Sequence, residues 1–314
     1  MQRRALLAAM AASGVTLAAP IMVSAQTDTD TATATSRGVD VTQTYPITGY
    51  APINGLQIYY EIHGSGGTPL LLLHGGIVGS VTFAPLLPGL SANRQVITID
   101  LQGHGHTRDI DRPLRDETMA DDVAGVLAHL EIEQADLLGY SMGGGVALQT
   151  AFRHPEIVRK LIIVSATMRR DGSYPEVLAQ LDQLESNAPQ LGAQVAQSPL
   201  ATVYPEADWE TLFAKAGEMA SRDYDWSANV AAITAPSMLI FADADSIRPE
   251  HMVEFYKLLG GGQRDAGLDG SLRPTSRLAI LPGTTHYDIL TFPGFADIVT
   301  AFLDAPLPDA ESRS

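Results

Sequence analysis

Ala135-Asp136-Leu137-Leu138-Gly139-Tyr140-Ser141-Met142-Gly143-Gly144-Gly145-Val146-Ala147-Leu148 joins two textures. Ala135–Leu138 is a short apolar run of the kind that forms a buried parallel strand. From Gly143 to Phe152 apolar residues return at three- and four-residue spacing, as on the inner face of a helix. Between them stands Gly139-x-Ser141-x-Gly143. Glycines two residues either side of a serine let the backbone turn sharply from strand to helix without a Cβ clash, so the hydroxyl projects from the sheet. The helix start behind it offers aligned N–H groups. A bare Gly-x-Ser-x-Gly also arises as a Gly-rich turn; the strand before and helix after make Ser141 a candidate nucleophile.

The same unit repeats on both sides. Leu56–Ile62 alternates like a strand, and Leu70–Leu73, Gln95–Ile99, Lys160–Val164, Ser237–Phe241 and Arg277–Leu281 are short apolar runs closed by Gly, Asp, Ser or His. Met119–Leu130, His251–Leu259 and Phe295–Phe302 carry helical periodicity between them. Alternating strands and helices predict an α/β fold with a mainly parallel central sheet and helices on both faces. Between Ser165 and Ala235 no strand-like run occurs, and Pro175, Pro199 and Pro205 punctuate helical patterns. The expected organisation is a core of residues 45–167 and 232–306 with a helical cap at 168–231, lying over the carboxyl ends of the strands. Gly260–Arg273 reads as a surface loop.

The amino terminus reads as an address. Arg3-Arg4 precedes an Ala/Leu-rich stretch to Ala19, and Val23-Ser24-Ala25 has the small-residue spacing of a cleavage site. Residues 1–25 are expected to be a signal peptide, twin-arginine-like with the Sec route open. Gly14 and Pro20 interrupt the segment and no basic cluster follows Ala25, which opposes a stable membrane anchor once the signal is removed. Residues 26–44, rich in Thr, Asp and Ala, are expected to be a disordered linker, and 307–314 a tail. The predicted location is periplasmic or secreted.

Composition excludes more than it names. Hydrophobic residues at 45% and charged residues at 18% suit a globular protein with a sizeable core. The net charge of −16 opposes partnership with nucleic acid or anionic lipid and leaves neutral or cationic small molecules. Loss of residues 1–25 removes Arg3 and Arg4 and no acid, making the remainder more acidic still. With no cysteine there is no disulfide, thiolate metal site or cysteine nucleophile.

GYSMGGG at 139–145, LLLHGG at 71–76 and DLQGHG at 100–105, in their chain order, resemble the α/β-hydrolase superfamily, with bacterial esterases and cofactor-free perhydrolase-like members nearest in texture. The resemblance covers about residues 45–304 and implies a catalytic order of Ser, acid, His. On that pattern Leu239–Pro249 is the acid loop, with Ala242 where the family usually has Gly, and Asp245 is the implied acid; Asp243 is its local rival, with turn-making as its alternative role. Pro282-Gly283-Thr284-Thr285-His286 follows the last expected strand, where His286 would return imidazole to Ser141. His74-Gly75-Gly76 resembles the oxyanion loop: Met142 and Gly76 are the implied N–H donors, Gly75 and Ile77 remain alternatives, and His74 is expected to brace the loop. Asp100-Leu101-Gln102-Gly103-His104-Gly105-His106 has the look of a metal site but matches a structural turn of the family, so no metal or cofactor site is assigned.

These features predict an exported serine hydrolase cleaving a small carboxylic ester or lactone. The alternatives are perhydrolase or haloperoxidase-type chemistry, or carbon–carbon hydrolysis, with the same triad, and more remotely a non-catalytic binding protein on this scaffold. Tyr174, Tyr204, Trp209, Phe213, Tyr224 and Trp226 in the insertion either wall an apolar pocket or simply pack it. Neither the substrate nor the oligomeric state is legible.

Overall fold

The computed structural model describes residues 46–307. The expected signal at 1–25, the linker at 26–44 and residues 308–314 of the tail lie outside them. Eight strands form one sheet: β1 (Ile47–Ile53), β2 (Leu56–His63), β3 (Leu70–Leu73), β4 (Val96–Ile99), β5 (Ala135–Tyr140), β6 (Val158–Val164), β7 (Ser237–Ala244) and β8 (Arg277–Thr285). Their spatial order is β1-β2-β4-β3-β5-β6-β7-β8, antiparallel from β1 to β4 and parallel from β4 to β8. The sheet is therefore mainly parallel, as expected, with one strand more than the periodicity showed. β1 escaped it because only Ala51 of its residues is buried, so no apolar alternation marks it. Its Pro52 is tolerated at a sheet edge, where a missing N–H breaks no ladder on the outer side.

Period-two alternation divides the core. Leu71, Leu73, Ile97, Ile99, Leu137 and Ile163 face one way, against α2 (Asp116–His129) and α3 (Met142–Arg153); Leu70, Leu72, Leu138, Ile162 and Ile240 face the other, against α1 (Leu87–Leu90) and α10 (Phe295–Leu303). All four β3 residues are buried, as befits a central parallel strand covered on both faces. Burial of each such side chain contributes roughly 1.5–3 kcal/mol. Between β6 and β7 lie α4 (Pro175–Leu181), α5 (Ala188–Val195), α6 (Pro199–Val203), α7 (Trp209–Ser221) and α8 (Ser227–Ala231); α9 (Pro249–Leu258) follows β7.

The strand order reverses across β3 and β5, because the chain passes from β3 outward to β4 and then back across β3 to β5. Open α/β sheets place ligands at such a reversal. Leu73 pairs with Gly139, so the loops leaving β3 and β5 emerge side by side.

The two glycines of the turn work by close approach rather than by left-handed conformation. A Cβ on Gly139 would meet the Gly143 carbonyl, and one on Gly143 would meet the Leu73 carbonyl of β3. The left-handed φ falls on Ser141 itself, at φ 53° and ψ −118°. Such a conformation in a non-glycine residue costs on the order of 1–3 kcal/mol and persists only where the surroundings impose it. We expect Gly143→Ala to destabilise the fold by about 1–3 kcal/mol and to lower the melting temperature measured by calorimetry. Gly76→Ala should melt like the parent, because a Cβ there meets nothing nearer than Met142 Sδ at 3.8 Å. Equal melting of the two variants would contradict this account of the turn.

Candidate active site

Three strand ends bring three side chains together. Ser141 leaves β5, Asp245 leaves β7 and His286 leaves β8. Ser141 Oγ lies 3.0 Å from His286 Nε2, and His286 Nδ1 lies 3.0 Å from Asp245 Oδ1. With Nδ1–H donating to the carboxylate, Nε2 is left as an acceptor for the serine hydroxyl. Burial works to raise the Asp245 pKa, but the hydrogen bond and charge of His286, the Ser165 hydroxyl and the Ala242 N–H outweigh it and hold the carboxyl below its ordinary range. Those donors are close: Ser165 Oγ at 2.6 Å and Ala242 N at 3.0 Å reach Oδ2, and Ser246 N at 2.8 Å reaches Oδ1.

Asp243 stands elsewhere. It is exposed and accepts hydrogen bonds from the Gly283 and Thr284 N–H groups at 3.0 and 3.1 Å, which ties the loop carrying His286 to the end of β7. Tyr140 holds the same loop from the other side, its hydroxyl donating to the His286 carbonyl at 2.6 Å.

The loop after β3 is fixed by His74, which is wholly buried. Leu101 N–H donates to His74 Nε2 at 3.0 Å, so Nδ1 carries the proton and donates to the Gly75 carbonyl at 2.7 Å. Burial depresses the His74 pKa and keeps the ring neutral, against the pull of Asp100. A trans peptide points its N–H opposite its C=O, so a Gly75 carbonyl pinned on His74 turns the Gly76 N–H the other way. Gly76, Met142 and Ile77 all border the cavity above Ser141. Ile77 is held at φ 75°, a strained region for a β-branched residue.

Asp100 serves the turn after β4. Its Oδ1 accepts from Ser80 N at 2.7 Å, and its Oδ2 accepts from His106 N at 2.8 Å and lies 3.1 Å from His106 Nδ1. A Cβ on Gly105 would collide with this carboxylate, which explains a glycine at that place. His104 turns Nδ1 to the Gln102 carbonyl at 2.9 Å.

The cavity has a volume of about 400 Å³ and is open to solvent. Ser141, His286 and the loop after β3 form its floor; Val177, Leu178 and Leu181 of α4 and Met219 of α7 form its roof. Of the six aromatic residues between β6 and β7, Tyr224 and Trp226 line it. Tyr204, Trp209 and Phe213 are instead buried in packing, and Tyr174 caps α4 outside the cavity wall. Ser165, Ser246 and Tyr140 escaped the sequence as site residues. Only the pairing of β5, β6 and β7 brings Ser165 and Asp245 together, and no periodic signal in the chain marks it. Ser246, whose Oγ is 3.0 Å from His286 Nδ1, had adjacency to Asp245 as its one clue.

The chain belongs to the alpha/beta hydrolase fold family, whose profile matches residues 68–239, more than half of the sequence. The 2-hydroxymuconate semialdehyde hydrolase of Pseudomonas sp. strain CF600 is 42% identical over 111 residues, 34% of this chain and 39% of that protein, so the match spans well under half of that relative. A putative carbamate hydrolase, RutD, of Azorhizobium caulinodans is 31% identical over 224 residues, 65% of this chain and 83% of that protein. The crystal structure of the enol-lactonase from Burkholderia xenovorans LB400 superposes with a TM-score of 0.64 at 22% identity, over 82% of this chain and 100% of the other, a likeness of fold.

The Asp100 turn has a measurable pH signature. Burial opposes ionisation of Asp100, yet the hydrogen bonds from His106 and Ser80 help to bring its pKa from 3.8 down to about 2. A depressed carboxylate stabilises the fold above its unfolded pKa and loses that contribution as pH falls toward the folded value. Asp100→Asn should therefore lower the melting temperature near neutral pH, with the gap to the parent narrowing as pH is taken from 3.8 toward 2. A gap that stays constant across that range would contradict the assignment.

Proposed function

We propose that this hydrolase cleaves a small carboxylic ester or lactone through an acyl-serine intermediate, with Ser141 as nucleophile, His286 as acid–base and Asp245 as the acid that orients it. The observation that carries this reading is the continuous chain from Ser141 Oγ to His286 to Asp245, at 3.0 Å per link, on the floor of an open cavity. Neutral His286 takes the hydroxyl proton at Nε2 as Ser141 Oγ bonds to the carbonyl carbon. The carbonyl π pair moves to oxygen, where the N–H groups of Met142 and Gly76 receive the charge; each such donor is worth about 10² to 10³ in rate. Collapse expels the alcohol, which takes the proton back from Nε2. Water then repeats the sequence, giving up a proton to His286 and releasing the acid and Ser141. Asp245 stays ionised throughout and stabilises the imidazolium.

The start of α3 favours the anionic intermediate further through its helix dipole. The segment 168–231 acts in this reading as a cap that chooses substrate, since its side chains roof the cavity and Ser141, Asp245 and His286 lie outside it. The likeness to a semialdehyde hydrolase favours a second reading, hydrolysis of a carbon–carbon bond beside a carbonyl by the same three residues. Export to the periplasm or medium is part of the proposal and rests on the signal-like residues 1–25.

The test is hydrolysis of nitrophenyl esters of graded acyl length by the folded protein and its variants. Ser141→Ala should abolish turnover and labelling by a fluorophosphonate. Asp245→Asn should lower kcat by about 10⁴, the effect of losing the tautomer-setting carboxylate, and Asp243→Asn by far less. Equal effects of the two aspartate variants, or full activity in Ser141→Ala, would sink the assignment.

A further inference from the structure

None of the three carboxyl groups that border the cavity, Asp116, Glu117 and Asp223, has a task in this chemistry, and Asp116 is the one packed against the helix that begins at Ser141. Asp116, the first residue of α2, borders the cavity and is half-buried there. Among the described residues it forms no ion pair, and its only supporting donor is its own backbone N–H. Two nearby arginines are already paired. Arg115 is bound to Glu218 by both guanidinium nitrogens, at 2.5 and 2.7 Å, and Arg170 is bound to Asp182 and lies 3.9 Å from Asp223.

The position of Asp116 is set by Gly145. A Cβ there would stand 2.5 Å from Asp116 Oδ1 and 3.6 Å from Trp226 Cη2, so the carboxyl and the indole edge flank the same bare point of α3. Tyr224 stacks on Trp226 with ring centroids 4.4 Å apart and planes tilted by 31°. Gly145 is four residues beyond Ser141, a rise of ~6 Å along the helix axis, so the point that the carboxyl and the indole flank is about one turn from the residue carrying the nucleophile. A half-buried carboxylate beside a pair of packed aromatic rings is a recognition site for an organic ammonium, the carboxylate accepting its hydrogen bonds and the rings forming an apolar wall for its alkyl stem.

Resting on the hydrolase reading above, we propose that Asp116, Trp226 and Tyr224 form a subsite for a positively charged amine carried on the substrate a few bonds from the scissile carbonyl. The acyl compounds it selects are aminoacyl-like esters or lactones bearing a free ammonium. The charge balance agrees: Asp116, Glu117 and Asp223 border the cavity against Arg170 and Arg222, leaving one negative charge in excess. Burial first, then the charge of Glu117, pushes the Asp116 pKa up to about 7, while Arg222 and Arg115 pull it down. An ammonium placed against it would supply the missing counter-charge, and its affinity rises as pH climbs through that value. A carboxylate in the first turn of α2 also suits the helix dipole, a structural role that is indifferent to ligand charge.

The experiment separates these roles with matched ligands on the full chain. Hydrolysis of nitrophenyl ε-aminocaproate is compared with that of nitrophenyl heptanoate, which replaces the ammonium by a methyl. Binding of hexylammonium and of hexanol to the Ser141→Ala protein is measured by calorimetry. The parent should prefer the ammonium ester in kcat/KM, and Asp116→Asn should reduce that preference at least about tenfold, as expected for a charge-assisted hydrogen bond. Hexylammonium should bind better as pH rises through about 7, and hexanol should not. If the parent shows no preference for the ammonium ligand, or Asp116→Asn slows both esters by one factor and leaves hexylammonium binding intact, the subsite is overturned. Should the variant fail to fold, the pH dependence of hexylammonium against hexanol decides alone: parallel curves overturn it. Failure of the hydrolase reading has a different signature, namely pH-dependent hexylammonium binding with no turnover of either ester.

Discussion

The contact on which the structure depends is the meeting of three backbones: the end of β3, the end of β5 and the first turn of α3. Gly139 and Gly143 let these approach until a single Cβ would drive them apart, and the strain of the turn falls on Ser141. Parallel pairing of Leu73 with Gly139 then sets the loop of Gly75 and Gly76 beside the serine. One tight approach thus places the candidate nucleophile, puts a helix amino terminus behind it and brings Gly76 and Met142 to the same cavity. The cost of a left-handed Ser141, on the order of 1–3 kcal/mol, is small against a core in which dozens of apolar side chains are fully buried.

Around that approach the polar groups are held by protein rather than by water. His74 is buried and neutral, with one nitrogen on Leu101 N–H and the other on the Gly75 carbonyl. Asp245 is buried and ionised because hydrogen bonds from His286, Ser165 and Ala242 overcome the cost of desolvation. Asp243 and Tyr140 grip the two sides of the histidine loop. A buried carboxylate with several fixed donors holds one nitrogen of His286, whose other nitrogen meets Ser141 Oγ, the pre-organised alignment on which the proposed proton transfer rests. Among the described residues Asp116 differs from both aspartates in having no donor but its own backbone N–H.

The parallel strands and the serine turn were legible because buried parallel strands are continuous apolar runs and because glycines punctuate the turn. β1 was not: a strand with one buried residue is held by backbone pairing, which leaves no period in the side chains. The positions of Ser141, Asp245 and His286 after β5, β7 and β8 follow from the order of motifs along the chain that the family resemblance implies. Their supports do not, because Ser165 reaches Asp245 only after β6 and β7 pair. Aromatic content between β6 and β7 marked helices with apolar faces, but which face meets the cavity depends on helix rotation. Trp209 and Phe213 of α7 turn inward among other helices, whereas Met219 of the same helix reaches the roof.

The central claim is that Ser141 becomes covalently acylated on its strained turn. Mixing the full chain with a nitrophenyl ester, quenching within the first turnover and mapping the peptides by mass spectrometry tests it most directly. The account predicts one acyl group per chain on the peptide containing Ser141, appearing with the first equivalent of nitrophenol and lost as turnover ends. Rapid turnover with no adduct on that peptide, or an adduct on another residue, would contradict it.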